Sequence, residues 1–192
     1  SIGTSAAASI QICSTVMNLF MIVTFGLANA AVVIIGNEIG ANRESEAISA
    51  SKKISSLSFK ISILLAIVLA FLSKPIVSFF NVSVEVKIAS EYILYVYAFI
   101  LVFKIYNAVM IVGILRGGGD ATYGSILQGL TLWLIGIPLA AFAAFIIKLP
   151  IYFVVMFAAV EEIIKVFFMM KRFKSFKWIK NMVNDEQNEV LT

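Results

Sequence analysis

With 192 residues, 61% of them hydrophobic and 14% charged, and a mean hydropathy of +1.00, the chain has too few ions to keep a folded surface wet, since ordinary globular proteins are about 25% charged. That balance excludes an aqueous domain and predicts an all-α polytopic bundle of membrane helices, because the apolar–polar alternation over ~10-residue strands of a membrane barrel is not in the sequence. The formal charge of +4 does not make nucleic acid a partner: the basic residues gather at the ends of apolar runs, where they set orientation.

Histidine is absent and Cys13 is the only cysteine. This removes Cys/His metal sites, histidine bases and an internal disulfide, and leaves Cys13 as a small packing residue. No cofactor and no catalytic residue is expected.

In chain order, Ser1 follows no charged leader, so the sequence reads as a fragment entered from an upstream segment. A first span is predicted over residues 5–35, with no charge before Glu38. Gln11, Ser14 or Thr15, Asn18, Phe25 and Asn29 recur at helical spacing and form a stripe that either hydrogen-bonds neighbouring helices or walls a water-filled cavity. Gly26, Ala30, Gly36 and Gly40 offer close helix contact. Residues 40–53, GANRESEAISASKK, read as a solvated connection to a second span over 54–72. There Lys60 snorkels to the interface, and Ser51, Ser55, Ser58 and Ser62 share one packing face. Lys74 and Pro75 close that span.

A third span, 92–115, carries Lys104 near its middle, with Tyr97 and Asn107 on the same face. An ammonium at that depth costs at least about 2.5 kcal/mol unless it faces protein or water and finds a partner. RGGGD, residues 116–120, supplies the unrestricted dihedrals of a tight reversal, with Arg116 and Asp120 as a latch across the turn. No Lys-Ser or Lys-Thr follows, so it is not a phosphate loop. The fourth span, 121–147, is uncharged, contains Gln128, and should be kinked by Pro138. The short connection at Lys148–Pro150 sends a fifth span, 151–170, back antiparallel. These spans form one domain over residues 1–180, followed by a disordered tail, 181–192.

Lysines and arginines divide unequally between the two ends of these spans. Arg43, Lys52, Lys53, Arg116 and the run from Lys171 to Lys180 lie at one, whereas the other has Lys74, Lys87 and Lys148. The first end is therefore expected to be cytoplasmic, with the C-terminus inside. Within the membrane, Glu161 and Lys165 are an i, i+4 pair and Glu162 and Lys165 an i, i+3 pair. Lys104 stands at matching depth in the third span. These four charges are expected either to couple to an ion, with Lys104 approaching a glutamate and one carboxylate left for a proton or sodium ion, or to pair off and lock the bundle.

The stretches IGTSAAASIQI, GNEIGANRESEA, GILRGGGDAT, LWLIGIPLA and EEIIKVFFMMKRFKSFKWI together resemble the C-terminal half of the multidrug and toxic compound extrusion family, and GILRGGGDAT ahead of an apolar run with an internal IP is the most specific of them. The resemblance implies a twelve-helix antiporter of the cell membrane, built of two six-helix lobes, that expels organic cations or amphipathic compounds against sodium ions or protons. This chain would supply the last five helices, with the N-terminal lobe as its missing partner and the lipid bilayer as its solvent. Some members carry an acidic residue in the tenth helix, near Ile105 and Tyr106 here. Lys104 stands there instead, so that ion site does not transfer, and Glu161 and Glu162 take its place as candidates. Two other readings use the same residues: a half-size homo-oligomeric transporter or channel, and a flippase for lipid-linked substrates.

Overall fold

The computed structural model describes residues 4–180, with side chains from residue 7 onward. Helix α1 runs Thr4–Gly40, α2 Glu44–Ser78 and α3 Val84–Ala108, which continues into a π-helical segment Val109–Leu115. Next come α4, Ala121–Thr131, and α5, Ile137–Ala141, joined by a π segment Leu132–Gly136 and followed by another, Phe142–Ile146. Helix α6, Ile151–Lys174, completes an all-helical bundle.

Four of these helical runs, Ala7–Gly40, Glu44–Ser78, Val84–Leu115 and Ala121–Ile146, are long and apolar enough to cross a bilayer. Helix α6 has sufficient length, but every 18-residue window along it includes Glu161, Glu162 and Lys165. The outward surface is oily: Phe71, Phe79, Trp133, Phe145 and Ile146 are among many large apolar side chains facing away from the bundle, as lipid requires.

Several helices extend past the expected limits. Helix α2 begins at Glu44, so most of the expected solvated connection is helix, and only residues 41–43 turn the chain. The acids that suggested a loop, Glu44 and Glu46, sit in its first turn, where they complement the positive end of the helix dipole. At its far end α2 passes through Pro75 to Ser78. Helix α3 starts at Val84, where Ser83 Oγ accepts from the Val86 amide; that is an N-cap satisfying one of the orphan donors.

Helix α3 is the hub, with 67% of its most apolar stretch buried against 17–28% in the other three long helices. Between helices in lipid there is little hydrophobic gain, so close backbone approach carries the association. Gly113 provides it: a Cβ there would lie 2.9 Å from Ala31 Cβ and 3.2 Å from the Ala28 oxygen. Of the small residues expected at this contact, Gly36 packs near Gly117 O, whereas Gly26 and Gly40 face open space. Polar neighbours on the α2 face are satisfied within the helix or by α3. Ser51, Ser58 and Ser62 donate to carbonyls three residues back, and Ser55 bonds the Tyr106 hydroxyl of α3 at 2.9 Å.

Pro138 lacks an amide hydrogen and its ring crowds the carbonyl four residues earlier. The helix accordingly widens into π segments on either side of α5. The glycine turn after α3 is shaped by contact as well as by dihedral freedom. Gly119 has φ 87°, and a Cβ on Gly118 would fall 2.3 Å from the Trp178 ring. Trp178, fully buried, stacks on Phe173 and donates from Nε1 to its carbonyl, and the Lys180 amide donates to Gly118 O at 2.8 Å. The segment after α6 thus folds back under the α3–α4 turn. The tail assigned to disorder, 181–192, lies outside the described residues.

Candidate functional site

Helix α6 buries Glu161, Lys165, Met169 and Phe173, spaced four apart on one face. That spacing puts the first two ions against the bundle. Lys165 Nζ lies 3.0 Å from Glu161 Oε2 and 3.3 Å from Glu162 Oε2. From α3, Asn107 Nδ2 donates to both the carbonyl and Oε2 of Glu162 at 2.8 Å. The Glu161–Lys165 contact has ion-pair distance without the direction of a hydrogen bond, so Glu161 Oε2 and Asn107 Oδ1 are buried acceptors with no donor among the described residues.

Beside this cluster is a cavity of about 370 Å³, walled by α1, α3, the π segment before Pro138, α5 and α6. Asn18, Tyr97, Lys104, Glu161 and Glu162 line it. Gly136 allows its far wall to come near, since a Cβ there would stand 3.2 Å from Glu161 Cγ.

The sequence candidates therefore separate. Asn18 and Tyr97 face the cavity, while Gln11 and Gln128 are exposed and away from its lining, and Asn107 is occupied with Glu162. Lys104 shares the cavity with both glutamates, but the ammonium that contacts them is Lys165, and no ion pair of Lys104 is found among the described residues. Geometry explains this. Lys165 is held one turn from both carboxylates on the same helix, whereas Lys104 must reach across from α3.

The expected latch has different partners. Asp120, its side chain 2% exposed, takes Arg172 Nε at 2.7 Å and Lys180 Nζ at 2.6 Å, and Arg116 is exposed with no ion pair to it. Arg172 also lies over the Tyr123 ring, 4.7 Å from its centroid. Burial pushes the Asp120 carboxyl up, but the hydrogen bonds and charges of Arg172 and Lys180 outweigh it and hold the group below the ordinary carboxylate value. A signal was present: Asp120 is the sole acid between Glu91 and Glu161, and the next strongly basic run is 171–180.

Among the described residues no group of three or more His, Cys, Asp or Glu is placed to hold a metal ion. The bundle thus gathers charges round a half-open cavity. The MatE family model matches residues 1–142; the chain belongs to this family of multidrug and toxin extrusion transporters, whose members are transporters and not enzymes. The match ends ahead of α6, so the carboxylate pair lies outside it. No curated protein matches the chain.

Proposed function

We propose that the chain is the C-terminal lobe of a secondary active antiporter that exports organic cations or amphipathic compounds in exchange for protons or sodium ions. Its five membrane helices, α6 included, would be most of a six-helix lobe in a twelve-helix protein of the cell membrane. The end bearing the α1–α2 turn, the glycine turn and the C-terminal segment faces the cytoplasm, in keeping with its excess of lysine and arginine.

The observation that supports coupling is the trio of buried Glu161 and Lys165 with half-buried Glu162, in which two carboxylates share one ammonium beside the cavity. One negative charge of the trio is left over, and among the described residues Glu161 Oε2 has the Lys165 ion pair but no hydrogen bond. A buried, incompletely satisfied carboxylate in a membrane helix is the usual form of an ion pathway. In this reading a monovalent cation and a cationic substrate compete for the same carboxylates, so loading one releases the other, and the two lobes rock about the site to expose it to each side in turn. Lys104 is the positive charge in the same cavity that disfavours a second bound cation.

Replacing Glu161 and Glu162 separately by Gln in the full transporter tests this, with export of a fluorescent cation driven by an imposed sodium or proton gradient as the readout. Loss of gradient-driven export in either variant is expected. Unchanged export in both would remove the coupling role.

A further inference from the structure

A second cavity, of about 410 Å³, opens between α2, α3 and α6, with walls that include Phe59, Val102, Phe103, Val166 and Met170. On its floor the Tyr106 hydroxyl is shared between Ser55 Oγ and Met170 Sδ, each at 2.9 Å, and the other polar side chains of the lining, Ser56 and Lys52, are exposed.

The mouth differs from the walls. Lys52, exposed, lines the cavity and places its ammonium 5.9 Å from the Phe176 ring centroid, which brings it beside the segment carrying Lys174 and Lys177. A greasy slot between membrane helices, with the Lys52 ammonium at its polar end, matches an acyl chain with a negative headgroup above it, and basic pockets between membrane helices are known hosts for such headgroups.

We infer that this groove is a binding site for an anionic phospholipid, with one acyl chain between α2, α3 and α6 and the phosphate on Lys52. The site depends on the chain lying in a bilayer and is independent of what, if anything, the first cavity transports. Charge complementarity at Lys52 favours lipid over a neutral amphiphile or a packed protein segment.

The test is native mass spectrometry of the purified protein after exchange into detergent holding equal amounts of phosphatidylglycerol and phosphatidylcholine with identical chains. Preferential retention of phosphatidylglycerol is expected. Lys52→Gln should reduce that retention about fivefold, the effect of losing roughly one cation near a membrane surface, and leave phosphatidylcholine unchanged. Val102→Trp, which fills the groove, should reduce both. Equal retention of the two lipids by the unaltered protein, or insensitivity to Lys52→Gln, would overturn the assignment. So would insensitivity to Val102→Trp, which would mean that protein rather than lipid covers the groove.

Discussion

At residue 118 the Trp178 ring leaves no room for a methyl group, and the ring cannot retreat because it is stacked on Phe173 and bonded to its carbonyl. Gly118→Ala should therefore destabilise the folded chain by about 1–3 kcal/mol, the usual cost of overpacking, seen as a lower thermal midpoint in detergent. Asp120, two residues on, gives a pH dependence of definite sign. Its folded carboxyl is held below the ordinary value by Arg172 and Lys180, so the stabilisation is fully present above the unfolded value of about 3.9. It disappears as pH falls through the lower folded value. Asp120→Asn should lose about 1–3 kcal/mol at neutral pH, in the range for removing one partner of a buried polar pair. Its deficit relative to the unaltered chain should shrink when the unfolding measurement is repeated near pH 3.

Among the elements, α6 joins the others through charge as well as packing. Lys165→Met would leave buried Glu161 and half-buried Glu162 without the ammonium that now faces both. A loss of about 3–5 kcal/mol is expected, as for a broken buried pair. Adding Glu161→Gln and Glu162→Gln should recover most of it, and a Lys165→Met chain as stable as its parent would show that α6 is held by packing alone. The i, i+3 and i, i+4 spacing made this trio legible in the sequence, because it follows from one helix. The position of Lys104 relative to it was not, since that depends on how α3 and α6 pack. Helix ends were misjudged for a related reason. Glu44, Glu46, Glu85 and Lys87 look like loop residues by polarity, yet they lie in opening turns of helices, and polarity reports contact with water more directly than it reports backbone conformation.

Taken as a whole molecule, the membrane-helix class was readable from composition because runs of bilayer length have few other uses, and the family from short motifs around the glycine turn. The return of the C-terminal segment was hidden. Trp178 beside lysines resembles an interfacial anchor, and only the packed chain reveals it fully buried against Gly118. If the chain is one lobe of a rocking pair, vesicles holding only residues 1–192 should not export a fluorescent cation, and export above the protein-free control would contradict that reading.

The fold-back also bears on biogenesis. Lys180 meets Asp120 across a sequence separation of 60 residues, and a chain leaving the ribosome folds from its N-terminal side first. The reversal between α3 and α4 therefore reaches the insertion machinery unclamped and is fastened only once Lys180, 60 residues later, has been made, so a premature stop before Trp178 would yield inserted helices whose loop stays open to quality-control proteases.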